Sequence, residues 1–135
     1  MNLLIVSTST IYGKPYLSYL KEECADFFSN APKILFIPFA RPGGMTHEAY
    51  TAKAKEVFAS WGFEMRGAHE FTDAKEGCRW ADGFFTGGGN TFVLAKMLHE
   101  SGYFEAIDSA VRAGKPYMGT SAGCNLTGMN ICTTN

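Results

Sequence analysis

The chain has 135 residues, 46% of them hydrophobic and 19% charged, enough for one core and too few for two ordinary domains. Eleven Phe and six Tyr supply bulky apolar surface, which excludes a disordered or collagen-like chain despite fifteen Gly. Twelve Lys and Arg stand against thirteen Asp and Glu with no basic cluster, so neither nucleic acid nor an anionic membrane finds an electrostatic footprint.

The first apolar run, residues 3–6, reads as a strand. It is far shorter than the roughly 20 residues of a membrane span and no positive charge precedes it, so a cytoplasmic protein is expected. Residues 17–27 carry Leu17, Leu20, Cys24 and Phe27 at helical spacing. A second strand falls at 34–37. The next helix is predicted over 46–61, with Thr46 as N-cap, Ala49, Ala52, Val57 and Trp61 inside, and Gly62 closing it. A weaker strand candidate covers 63–68. Strong runs follow at 83–86 and 116–119, separated by helices predicted over 91–100 and 103–113 that end at Gly102 and Gly114.

Short continuous apolar runs bounded by turn residues suit strands buried on both faces. Their alternation with helices predicts a single α/β domain over residues 1–135, a doubly wound and mainly parallel sheet flanked by helices. Cys24, Cys78, Cys124 and Cys132 show no CxxC spacing and no nearby His, so reduced thiols are expected rather than disulfides or a zinc site.

Two glycine clusters carry the chemistry. Gly119-Thr120-Ser121-Ala122-Gly123 follows an apolar strand and precedes residues able to open a helix, the setting of a nucleophile elbow. Small neighbours let a strained serine turn fit between strand and helix, and the Ala122 amide would lie beside any oxyanion formed there. A serine that only caps the following helix explains the pentapeptide equally well. The second cluster, Thr86-Gly87-Gly88-Gly89-Asn90-Thr91, also joins a strand to a helix. Its amides could converge on an anion, or it could be a plain turn. It lacks the endings of a P-loop and of a dinucleotide fingerprint. Both clusters fall at carboxyl ends of strands, the ligand-binding edge of an open α/β sheet.

The pairing of Gly87-Gly88-Gly89-Asn90-Thr91-Phe92 with Gly119-Thr120-Ser121-Ala122-Gly123-Cys124-Asn125 about thirty residues later resembles peptidase E, the α-aspartyl dipeptidases. Ile37-Pro38-Phe39-Ala40 and the closing Asn-Ile-Cys-Thr-Thr-Asn are similar to that family too. The resemblance implies a fold related to class I glutamine amidotransferases and hydrolysis of dipeptides with an N-terminal aspartate, through an acyl-enzyme and with neither metal nor cofactor. Residue by residue it implies Ser121 as nucleophile, the amides of Gly89 and Ala122 as oxyanion donors, and Gly88 and Asn90 as substrate-lining positions.

A serine nucleophile needs a base and a group to orient it. The family's histidine and further acidic residues follow its serine, yet no His, Asp or Glu follows Ser121 here. The expectation is therefore the N-terminal portion of a longer peptidase fold, truncated after the elbow and incomplete as a catalyst. Of the three histidines, His47 is best placed at the active edge, although a polar residue in a first helical turn explains it as well. His69 and His99 read as structural. Arg41 could attract an aspartyl carboxylate but suits a solvated loop, Cys124 suits buried packing, and Tyr12, Lys14 and Tyr16 lie in a loop at the same edge. A cyanophycinase-like peptidase and a catalytically silent, self-associating module are the alternatives, the latter as a homo-oligomer covering an exposed sheet edge.

Overall fold

Strands that are apolar on both faces must be covered on both faces, and this requirement organises the chain. The computed structural model describes residues 3–6, 21–40 and 44–120. Within them β1 (Leu3–Val6), β2 (Lys33–Ile37), β3 (Glu64–Gly67), β4 (Gly83–Thr86) and β5 (Tyr117–Thr120) form one sheet in the order β1-β5-β4-β2-β3. Every pairing is parallel. The helices are α1 (Lys21–Phe27), α2 (His47–Ser60), α3 (Ala74–Trp80), α4 (Thr91–Ser101) and α5 (Tyr103–Arg112), with a short 3-10 turn at Ala68–Glu70.

Alternation along each strand sends side chains to two separate cores. Ile34, Phe36, Phe85 and Met118 face α1 and α2, where Cys24, Phe28, Tyr50, Ala54 and Phe58 meet them. Leu35, Ile37, Phe84 and Tyr117 face α3, α4 and α5, which contribute Cys78, Leu94, Leu98, Ile107 and Val111. Phe85 is wholly buried, with ring centroids 5.3 Å from Phe36 and 5.4 Å from Phe58. Burying one such ring contributes about 1.5 to 3 kcal/mol, so the aromatic layer under β2 and β4 is a main source of stability. Lys115 ties the amino edge together, its Nζ donating to the carbonyls of Cys78 and Ala81 at 2.9 and 2.7 Å. There it also complements the negative end of α3.

The doubly wound architecture is as expected, and all five strand candidates form. The weak candidate at 63–68 is the edge strand β3, and the last strand lies one residue later than its apolar run, at Tyr117–Thr120. Thr46 caps α2 as predicted, its Oγ1 accepting from the Ala49 amide at 3.1 Å. Gly102, at φ 82°, is the left-handed joint between α4 and α5.

Two expectations need correction. The buried stripe of α2 is Tyr50, Thr51, Ala54 and Phe58; Ala49 and Ala52 are exposed, and Val57 and Trp61 are half-buried. The large rings of Tyr50 and Phe58 remove more apolar area from water than the alanines, so they set the inward face. Helix α3 has no counterpart among the predicted elements. Of the first predicted helix, Cys24 is buried and Phe27 half-buried, while Leu17 and Leu20 lie outside the described residues. Among the described residues no helix is long and apolar enough to cross a membrane.

Cys24 and Cys78 are free and buried; Cys124 and Cys132 lie outside the described residues. Burial pushes both thiols from 9.0 up to about 12, with Glu23 adding to the rise at Cys24 and Lys115 opposing it at Cys78. Thiolate is the reactive form, so both cysteines are expected to resist iodoacetamide at pH 8 in the native protein and to react on denaturation, as peptide mass mapping would show. The same shifts set a sign for stability. Between pH 9 and about 12 only the unfolded chain releases these protons, so stability falls as pH rises through that window.

Candidate active site at the carboxyl edge of the sheet

The chain leaves adjacent strands β2 and β4 toward opposite faces. After β2 it runs to α2 on one side, and after β4 it runs to α4 on the other. Such a divergence opens a crevice beyond the strand ends, the usual ligand position in an open α/β sheet. The Gly87-Gly88-Gly89-Asn90 turn and Pro38-Phe39-Ala40 lie side by side at this edge, following β4 and β2.

Two backbone bonds extend the β2–β4 pairing into these segments: the Gly87 amide donates to the Ile37 carbonyl at 3.3 Å, and the Asn90 amide to the Ala40 carbonyl at 2.9 Å. Between them the turn comes so close to Ala40 that only glycine fits. A Cβ on Gly89 would stand 2.5 Å from the Ala40 carbonyl oxygen, and its φ of 142° lies where side chains are disfavoured. Gly87 is glycine for a different reason, since a Cβ there would run into the Tyr50 hydroxyl. That hydroxyl donates to the Gly88 carbonyl at 3.1 Å.

The amides of Gly88 and Gly89 have no hydrogen-bond partner among the described residues. Gly89 is exposed. Asn90 caps α4, its Oδ1 accepting from the amides of Phe92 and Val93 at 2.9 and 3.1 Å. Any contact from Asn90 to a ligand would therefore come from its Nδ2 side. The turn thus places N–H donors at the N-terminus of an 11-residue helix, an arrangement that favours negative charge.

β5 lies directly beside β4 in the sheet, with Thr86 opposite Gly119. The chain passes from Thr120 to Ser121 at this same edge, one strand away from the glycine turn. Ser121 and Ala122 themselves lie outside the described residues, as do Arg41, Cys124, Tyr12, Lys14 and Tyr16.

The histidines are placed as follows. His47 opens α2, half-buried, with its ring 5.4 Å from Phe39 and 5.9 Å from His69. His69 sits in the 3-10 turn after β3, and its buried Nδ1 has no partner among the described residues. Two histidines that the sequence reading treats separately therefore meet at the β2–β3 end of the active edge. His99 is exposed in the last turn of α4 and stacked on Phe104 at 4.4 Å, a structural contact. Tyr103, whose ring is 6.0 Å from Phe39, donates to the Ala68 carbonyl at 2.8 Å. Its pKa is raised by burial first and then by Cys78, Asp73 and Glu76, so it stays a neutral donor. Among the described residues no group of three or more metal-ligating side chains comes together.

The model of peptidase family S51 matches residues 3–135. The chain belongs to peptidase family S51. Within reach of this S51 chain are a Shewanella denitrificans protein named peptidase E, 41% identical over the whole chain, and a Drosophila melanogaster protein named as an alpha-aspartyl dipeptidase, 38% identical over 99% of it. The chain spans 57% and 56% of these two curated relatives. Among solved structures, one assigned to peptidase E from Listeria monocytogenes superposes with a TM-score of 0.70 at 26% identity, covering 93% of this chain and 61% of its own. A peptidase from an acI-B1 actinobacterium shares the fold, with a TM-score of 0.67 at 22% identity over 90% of this chain and 54% of that one.

Proposed function

We propose that this S51 chain carries the nucleophile and the oxyanion donors of a serine peptidase that hydrolyses dipeptides with an N-terminal aspartate. The observation that carries the reading is the Gly87-Gly88-Gly89-Asn90 turn: Gly89 is exposed and its amide has no partner among the described residues, one strand away from Thr120, the residue before Ser121. In this reading Ser121 Oγ attacks the scissile carbonyl and the Gly89 and Ala122 amides receive the oxyanion. Collapse of the tetrahedral intermediate expels the C-terminal residue as an amine, and water then releases aspartate from the acyl-enzyme. Gly88 and Asn90 line the substrate.

Specificity for aspartate is supported by the name of the Drosophila relative. The chain spans 57% of its Shewanella relative, and the general base is proposed to come from the remaining part of such a protein. Free, buried Cys24 and Cys78 suit a reducing compartment such as the cytoplasm.

The test uses protein expressed from the complete coding frame and a panel of dipeptides that share a C-terminal leucine and carry aspartate, asparagine, glutamate or alanine at the N-terminus. The aspartyl substrate is expected to be cleaved at least about 10²-fold faster in kcat/KM than the asparaginyl one, the discrimination a site gains from pairing one buried charge. Equal rates across the panel would remove the aspartate assignment, and no cleavage of any member would remove the peptidase reading.

A further inference from the structure

We infer that Tyr50 is a positioning residue for the oxyanion donor, holding the Gly88–Gly89 peptide unit so that the Gly89 N–H points into the crevice; the inference rests on the serine-peptidase reading above. The Gly88 carbonyl and the Gly89 N–H belong to one planar trans peptide unit and point in opposite directions. Whatever fixes the carbonyl also fixes the amide.

The Tyr50 hydroxyl donates to that carbonyl at 3.1 Å, from a side chain that is 3% exposed. Its ring is clamped edge-on against Phe36, 4.9 Å between centroids at 88°, so the hydroxyl is delivered by the core and not by a mobile surface group. Gly87 leaves room for it, because any Cβ there would occupy the hydroxyl's position.

This peptide unit needs such an anchor more than others do. It joins two glycines, so no side chain on either flank resists its rotation. The flanking bonds, from Gly87 to Ile37 and from Asn90 to Ala40, fix the Thr86–Gly87 and Gly89–Asn90 peptide units and not this one. Among the described residues the Tyr50 hydroxyl is the only group recorded on the Gly88 carbonyl. A hydrogen bond on the carbonyl also polarises the N–H of the same unit and makes it a better donor. Tyr50 thereby acts on direction and on donor strength together, without touching substrate.

The experiment compares wild type, Tyr50→Phe and Ser121→Ala in protein from the complete coding frame. It measures kcat and KM on an aspartyl dipeptide, thermal unfolding, and the Gly89 amide signal in a 15N-resolved NMR spectrum. Tyr50→Phe keeps the ring and its packing and removes only the hydroxyl. The expected result is a fall in kcat of about 10- to 100-fold, less than the full loss of a donor. KM stays within about twofold, and the Gly89 amide signal is displaced while signals from the core strands are unchanged.

A Tyr50→Phe kcat within twofold of wild type, or an unmoved Gly89 signal, would overturn the positioning role and leave the peptidase reading standing. A loss of activity that tracks a lost folded fraction, with normal kcat per folded molecule, would overturn it as well. Equal rates for wild type and Ser121→Ala, or no cleavage by wild type, would overturn the underlying reading and the catalytic role of Tyr50 with it. The Gly89 signal would then still report whether the hydroxyl sets the peptide.

Discussion

Ser121→Ala is expected to lower kcat on aspartyl dipeptides by about four to six orders of magnitude, with KM within a few-fold, the behaviour of a residue that acts only in bond making. An acyl-enzyme mechanism has no substitute for its nucleophile. Water held in the same crevice would still meet the Gly89 amide, so a residual rate about 10³-fold above the uncatalysed one is expected to survive. Stability should change little, because replacing a serine hydroxyl with hydrogen removes no apolar surface from the two buried clusters formed by the described residues. Initial-rate kinetics on the purified variant, with thermal unfolding alongside, is the check. A variant retaining a tenth of the wild-type rate would remove Ser121 from the mechanism.

Gly89→Val should be the next most damaging change, costing about 10²- to 10³-fold in kcat, or roughly 2.7 to 4 kcal/mol of transition-state stabilisation. A Cβ there meets the Ala40 carbonyl oxygen at 2.5 Å and the Ala40 Cβ at 2.9 Å, on a backbone at φ 142°. The adjoining Ala40 backbone cannot yield as the tip of a side chain would, so the turn must move and carry the amide off its line. Strain of this kind costs about 1 to 3 kcal/mol in folding as well. The fold should nevertheless survive, because Phe36, Phe84 and Phe85 lie within the sheet and are wholly buried. Kinetics at a temperature well below the variant's unfolding midpoint separates the two effects. An active Gly89→Val with normal kcat would show that the donor is another amide.

The fold is legible in the sequence wherever local composition agrees with tertiary demand. The runs at 34–37 and 83–86 are continuous and apolar because β2 and β4 are interior strands covered on both faces. β3 reads weakly because it is an edge strand: Glu64 is exposed and Arg66 half-buried, with its guanidinium 4.3 Å above the Phe71 ring, charges that also blunt an open edge. Helix α3 escapes a periodicity search because it has seven residues with Gly77 in the middle. Its one local signal is Asp73, whose Oδ1 caps the Glu76 amide at 2.8 Å.

The candidate site divides in the same way. Gly89 and Asn90 are visible within a glycine cluster between strand and helix, because the close approach to Ala40 and the cap on α4 demand those residue types locally. Tyr50 and the meeting of His47 with His69 are not visible. Each depends on α2 crossing the β2 and β3 ends, a contact set by topology and register that no local pattern records. Tyr50 carries one retrospective signal: it lies four residues after the Thr46 cap, on the face that Ala54 and Phe58 continue inward.

The most direct measurement is the mass of the Ser121 peptide after protein from the complete coding frame is quenched with acid during turnover of an aspartyl dipeptide. A covalent aspartyl adduct on Ser121, absent from Ser121→Ala and diminished in Gly89→Val, is the predicted result. Turnover of the dipeptide with Ser121 unmodified and an adduct on another residue, or with equal rates in Ser121→Ala, would contradict the account.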